Sequence, residues 1–255
     1  MKLIRFRYKG KVQIGVVKGM EVTGLRGSLN DGFDEIDVHY PLSNVELLPP
    51  TEPTKVVCIG LNYREHIEEI GAIIPETPIF FLKPPSSVVG HENAIIYPKG
   101  AERVDYEGEL AIVIKSKMKD VPEDKALEHI WGLSCFNDVT ERAFVSKNPL
   151  LLTLSKGFDT FGPIGPYLVT DLDPNNLNIK TYLNGQVMQS DNTKNCVFSV
   201  QKILHYLSTC MTLYPGDIVA TGTPKGIAPM QPGDVVEVEI QGLGKLRNRV
   251  EQPVN

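Results

Sequence analysis

No apolar run in this sequence approaches the ~20 residues that a membrane-spanning helix needs. The opening MKLIRFRYKG alternates charged and apolar residues, so it lacks the continuous apolar core of a secretory signal. Cysteine is scarce. Cys58, Cys135, Cys196 and Cys210 are scattered, with no CxxC and no paired spacing, which argues against a disulfide frame or a zinc site. They read as small buried hydrophobes in a reducing compartment. No Lys/Arg block stands out against a net charge of −5, and non-specific nucleic-acid binding needs a basic footprint. Internal repeats and low-complexity segments are also missing. These absences predict a soluble, cytoplasmic protein without nucleic-acid or membrane partners.

What is present is enough for a real core. Hydrophobic residues make up 42% and charged residues 22% of 255, room for one large domain with or without a small one. Residues 1–48 read as short strands: Leu3 to Tyr8 alternates at period two, Lys9-Gly10 turns, and Val12 to Val17 follows. Pro49-Pro50-Thr51-Glu52-Pro53 can continue neither a helix nor a central strand. The chain therefore divides into a small β-rich N-terminal unit, residues 1–50, and a main domain, residues 51–255. Lys55 to Gly60 opens the main domain as a buried strand. Asn62 is placed to cap a short helix, with Glu65 at the capping-box position and Gly71 as the stop. A second short helix is expected from Pro122 to Ile130, ending near Gly132, and a third from Val200 to Ser208 behind a Ser199 cap. Strands are expected at Leu110–Ile114, Leu133–Asn137, Ile179–Leu183, Asp217–Thr221 and Val235–Ile240. Strands outnumber helices without regular βα alternation, so the class is a strand-rich α+β fold.

Tyr106-Glu107-Gly108-Glu109 followed by Leu110 to Ile114 is the most informative stretch. Residues two apart in a strand share a face, which sets the two carboxylates ~7 Å apart on one side. The wholly apolar run after them marks a strand buried on both faces. Two like charges at its mouth repel, and each is costly to desolvate unpaired. A divalent cation resolves both problems, and oxygen ligands without Cys or His point to Mg²⁺, Mn²⁺ or Ca²⁺. Glu237 and Glu239 have the same spacing but alternate with Val236, Val238 and Ile240. That is one dry and one wet face, and these glutamates are expected in water. Asp138, near the end of the strand after Trp131, is the candidate third ligand.

Together with Ile59-Gly60-Leu61-Asn62-Tyr63, Phe81-Leu82-Lys83-Pro84, Asp105-Tyr106-Glu107-Gly108-Glu109-Leu110, Phe136-Asn137-Asp138-Val139-Thr140, Lys156 to Pro163 and Pro215 to Pro224, the chain resembles the fumarylacetoacetate hydrolase family over residues 55 to 250. That family includes acylpyruvate hydrolases, hydroxymuconate-type isomerases and oxaloacetate decarboxylases. The resemblance implies a mixed β-sandwich roll, usually a homodimer, with Mg²⁺ or Mn²⁺ on Glu107, Glu109 and Asp138. It implies a catalytic Lys156 that contacts the oxo acid, substrate contacts at Arg142, Thr223 and Lys83, and a His66–Glu69 dyad like that of the acylpyruvases. The dyad residues lie three apart on the short helix and so share a face. The carboxylate can fix the imidazole tautomer while the other ring nitrogen takes a proton. Tyr63, Ile67 and Ile70 form that helix's apolar stripe with His66 at its edge, which suits a lid. Two features depart from the family. The stretch before Pro50 is short for a full-length fumarylacetoacetase, and Val145 stands where many acylpyruvases carry glutamine.

The reaction expected first is hydrolytic cleavage of a C–C bond in a small acylpyruvate-type 2-oxo acid through an enolate. Isomerisation of a 2-hydroxydiene dioate and decarboxylation of oxaloacetate are the alternatives, since both pass through the same enolate. A non-catalytic metal-stabilised binding protein would not need His66, Glu69 and Lys156 together.

Overall fold

The computed structural model describes residues 1–28 and 32–253. Among the described residues, twelve strands form one sheet. From one edge it runs through Gly32–Pro41, Glu21–Ser28, Lys11–Lys18 and Lys2–Tyr8 to Gly162–Val169, Ile130–Asn137, Gly108–Ile114, Ile218–Ala220, Val56–Gly60 and Ile79–Lys83. The N-terminal strands therefore extend the main sheet, joined where Lys2 and Leu3 face Val169 and Leu168. A five-stranded sheet, with Asn178–Leu183, Val235–Ile240 and Gly244–Glu251 at its centre, packs against the large one. A small three-stranded sheet joins Val104–Asp105, Thr140–Glu141 and Pro229–Met230.

Among the described residues, four α-helices decorate this frame: α1 (Arg64–Glu69), α2 (Arg142–Lys147), α3 (Leu152–Lys156) and α4 (Val200–Cys210). The core lies where Leu110, Ile112 and Ile114 of the large sheet meet Ile179, Val238 and Ile240 of the other and Ile203, Leu204 and Leu207 of α4. Every residue of Gly108–Ile114 is buried, as its unbroken apolar run requires of a central strand. Ser199 caps α4 as expected, its side chain accepting from Lys202 N at 3.2 Å.

Several local expectations are corrected. Asn62 does not cap α1: its Oδ1 accepts from Phe198 N at 2.9 Å and its Nδ2 donates to Thr221 O at 2.7 Å. It is thus a buried tie between two distant loops, and α1 starts at Arg64 with no side-chain cap. The segment after Pro122 is a 3₁₀ helix, Glu123–His129, that runs straight into the strand Ile130–Asn137 instead of stopping at Gly132. Helices α2 and α3 fall where no helix was expected. Cys58 and Cys135 are buried, but Cys196 is half-buried and Cys210 exposed. No helix among the described residues is long and apolar enough to cross a membrane.

Candidate active site

Register assembles the three carboxylates. In the antiparallel pair, Gly108 faces Asn137 and Glu109 faces Phe136, so Glu107 and Asp138 come opposite each other where both strands end. The pairing is sealed by Asp138 N donating to Glu107 O at 2.8 Å and Glu107 N donating to Asn137 Oδ1 at 3.0 Å. One oxygen from each of Glu107, Glu109 and Asp138 lies within 4.8 Å of the others, and all three residues are buried. Gly108 between the glutamates is demanded by packing. A Cβ there would stand 2.0 Å from Thr181 Oγ1 of the five-stranded sheet, so no larger residue lets the two sheets approach.

Three cations surround the trio. Lys156, the last residue of α3, donates to Glu107 Oε2 at 2.8 Å and Asp138 Oδ2 at 2.6 Å. Its ammonium lies 5.0 Å from the centre of the Phe81 ring. Arg142, at the start of α2, pairs with Glu107 and, at 3.1 Å, with Asp105. Lys83 donates to Asp138 Oδ1 at 2.5 Å and to Val139 O at 3.0 Å. Burial works to raise the Glu107 carboxyl, but Lys156 and Arg142 prevail and hold it well below the usual carboxylate range. Burial likewise opposes the Lys156 charge, yet Asp138 and Glu107 keep it firmly protonated.

Glu109 is different. It accepts one hydrogen bond, from Gly222 N at 2.8 Å, and forms no ion pair among the described residues. Burial pushes its carboxyl well above the ordinary range, and the Asp138 and Glu107 charges push it further. A buried acid with two acidic neighbours and no cation of its own is what a bound metal ion would relieve. The all-oxygen donor set suits Mg²⁺, Mn²⁺ or Ca²⁺ and not zinc. The residues fit a hard divalent ion.

These groups open on a cavity of about 190 Å³. Its lining includes His66, Glu107, Glu109, Asp138, Arg142, Lys156 and Thr223, closed by apolar residues such as Ile70, Ile79 and Leu152. Helix α1 is docked over it, with Tyr63 and Ile67 packed inward and Ile70 half-exposed. His66 Nδ1 lies 2.9 Å from Glu69 Oε2. Glu69 stands behind the imidazole and does not line the cavity. With Nδ1 held by a carboxylate, Nε2 is the nitrogen left for chemistry.

Two expected substrate contacts are revised. Lys83 does not line the cavity: its ammonium donates to Asp138 and the Val139 carbonyl from behind the carboxylate cluster. The Thr223 hydroxyl donates to Gly108 O at 3.0 Å and accepts from Gln189 Nε2 at 2.8 Å. Its proton is used inside the fold, although the residue does line the cavity. Asp105, which anchors both Arg103 and Arg142, and Gln189, which ties Gly108 N to the Thr223–Pro224 turn, were not singled out from sequence. Only the Arg103 contact of Asp105 is local; Arg142 and every partner of Gln189 named here lie on other elements.

A family model described as fumarylacetoacetate (FAA) hydrolase C-terminal matches residues 55–251. The chain belongs to the fumarylacetoacetate hydrolase family. A second model, Rv2993c-like N-terminal, matches residues 1–50. Among family relatives, the mitochondrial oxaloacetate tautomerase Fahd2a of Rattus norvegicus is 40% identical over 221 residues, 82% of this chain and 71% of that protein. The 2-hydroxyhepta-2,4-diene-1,7-dioate isomerase of Mycobacterium marinum superposes over the whole of both chains with a TM-score of 0.92 and 36% identity. The maleylpyruvate hydrolase of Sphingobium sp. SYK-6, solved with manganese(II) and pyruvate, covers both chains fully with a TM-score of 0.82 and 28% identity. Family members are thus hydrolases, isomerases and tautomerases, and this chain shares their strand-rich fold.

Proposed function

We propose that the chain is a Mg²⁺- or Mn²⁺-dependent enzyme that moves a proton on a small 2-oxo acid, interconverting its keto and enol forms, with His66 as the base. The observation that carries this is the meeting of a carboxylate-held imidazole and the three-carboxylate cluster in one cavity. The cavity, of about 190 Å³, is below the ~300 Å³ at which drug-sized pockets begin, which favours a small acid. Glu107, Glu109 and Asp138 would hold the ion, which when bound supplies Lewis-acid polarisation of the 2-oxo group. His66 Nε2 accepts a proton from the carbon beside that group as the electron pair moves onto the oxo oxygen. It then delivers the proton to that oxygen, which completes the enol. Glu69 stabilises the imidazolium formed in between. Lys156 places a permanent positive charge at the wall where negative charge collects on the substrate.

Proton transfer is placed ahead of hydrolysis because the relative at 40% identity is a tautomerase and one at 36% an isomerase, while hydrolases stand at 34% and 28%. Hydrolysis of an acylpyruvate is the second reading. It is favoured by the dyad itself, since a carboxylate-held histidine is also the arrangement that activates water. A panel of oxaloacetate, acetylpyruvate, fumarylpyruvate and a hydroxymuconate-type diene, assayed with Mg²⁺ and Mn²⁺, separates the readings. Enol–keto conversion of oxaloacetate without release of pyruvate from acetylpyruvate supports tautomerisation, and the opposite pattern supports hydrolysis. His66→Ala should lower either rate by about 10²–10⁴-fold, as expected for loss of a general base. Undiminished turnover by that variant would remove the dyad from the mechanism.

A further inference from the structure

Helix α1 is six residues long, has no side-chain cap, and turns Arg64, Glu65 and Glu68 outward. A helix this short has little stability of its own, so tertiary contacts must fix where Glu69 points. Tyr63 and Ile67 bury one side, but neither touches the carboxylate's orientation. That is set from across the fold. The Gly226 N–H donates to both oxygens of Glu69, at 3.0 Å and 3.3 Å. A forked bond of this kind fixes the carboxylate plane, so that Oε2 faces His66 Nδ1 at 2.9 Å.

Gly226 is itself clamped. Its carbonyl accepts from Tyr106 Oη at 2.8 Å, and Tyr106 is fully buried, packed with Val104, Phe161 and Met230. Its φ of +105° is open only to glycine, and a Cβ would lie 2.2 Å from Met188 O. The N–H and C=O of Gly226 belong to neighbouring peptide units joined at its Cα, so the held carbonyl and the glycine-only φ together fix the hinge from which the N–H is presented to Glu69. Tyr106 is also the residue before Glu107, so one rigid segment carries a metal ligand on one side and the anchor of the base's partner on the other.

We propose that Tyr106 is a positioning residue for the His66–Glu69 dyad, acting through the backbone of Gly226. The proposal rests on the dyad reading given above. Tyr106→Phe removes one oxygen and keeps the ring in its packed place. With oxaloacetate and Mg²⁺, kcat should fall about tenfold, the lower end of what partners that orient a ligand contribute, while KM stays near the wild-type value. Nitrogen-15 NMR should show the His66 ring changing from one tautomer, protonated on Nδ1, to a mixture. A purely structural tyrosine would lower Tm and move neither readout, and that result would overturn the proposal.

Two controls complete the test. Should Tyr106→Phe fail to fold, amide exchange in the wild-type protein decides. The Gly226 N–H should be protected, and exchange as free as that of an exposed loop amide would overturn the clasp. His66→Ala is assayed beside Tyr106→Phe. Full activity in His66→Ala would bring down the dyad reading and the clasp together. An inactive His66→Ala beside a normal Tyr106→Phe would bring down the clasp alone.

Discussion

Glu107–Gly108–Glu109 and Glu237–Val238–Glu239 have the same spacing and opposite fates. The first pair is buried, 6% and 1% exposed, and gathers around itself a third carboxylate and three cations. The second lies on the open face of a strand whose residues alternate between half-buried and buried. Its side chains are 19% and 45% exposed, Lys245 stands 3.6 and 3.7 Å away, and Tyr182 Oη donates to Glu239 at 2.8 Å. The spacing of two acids in a strand therefore says little. What lies on the strand's other face decides, and here the contrast is between a glycine that lets two sheets touch and a valine that fills an ordinary core.

That comparison can be broken most forcefully at Glu109. Glu109→Ala should remove activity and weaken Mg²⁺ or Mn²⁺ binding measured by calorimetry, and EDTA treatment of the wild type should do the same until metal is returned. Unchanged turnover by a demonstrably metal-free preparation would end the metal assignment.

A smaller effect is expected at the middle residue. Gly108→Ala drives a methyl towards Thr181 Oγ1 and should cost about 1–3 kcal/mol, as overpacking typically does, with the loss read by urea denaturation. A variant as stable as the wild type would show that the sheets can separate locally.

The pH dependence of the metal-free protein sharpens the same point. Glu109 is raised in the folded state, so the fold binds its proton more tightly than the unfolded chain does. Its contribution to stability is fully present below the unfolded value near 4.5 and is lost as pH rises through the folded value. Glu107, held low in the fold, acts in the opposite sense, but its slope fades above about 4.5 as the unfolded chain ionises too. Thermal melts of the metal-free protein should therefore fall with rising pH above about 4.5. Saturating Mg²⁺ should offset the loss, by about 2.7 kcal/mol at a hundredfold excess over Kd. A metal-free Tm that climbs with pH would contradict the isolated-acid reading of Glu109.

The least effect belongs to the other pair. Glu237→Gln combined with Glu239→Gln should leave kcat within about twofold and stability within about 0.5 kcal/mol, the usual range for surface changes. A tenfold loss of kcat in a well-folded double variant would mean that the five-stranded sheet's outer face takes part in the reaction.

The alternation of Val235–Ile240, the buried run of Leu110–Ile114, the Ser199 cap and the meeting of Glu107, Glu109 and Asp138 were all legible in the sequence, the last with help from family motifs. Each is a statement about residues close together in the chain, where strand and helix periods fix which side chains share a face. Asn62 misled for the converse reason: its cap-like position is local, but its partners Phe198 and Thr221 are not. Lys83 is placed by the same kind of distant contact, its ammonium standing behind Asp138, 55 residues away.

Sequence by itself determined the strand-rich class, the oxygen chemistry of Glu107, Glu109 and Asp138, and the shared helical face of His66 and Glu69. Tertiary structure alone decided that Glu109 is the carboxylate of the trio without an ion pair among the described residues, that Lys83 stands behind Asp138, that the N-terminal strands extend the main sheet, and that Gly226 anchors Glu69 from 157 residues away. The physical reason is the same throughout. Backbone periodicity constrains neighbours within one element, whereas pairing between elements is set by sheet register and close packing, which no local pattern encodes.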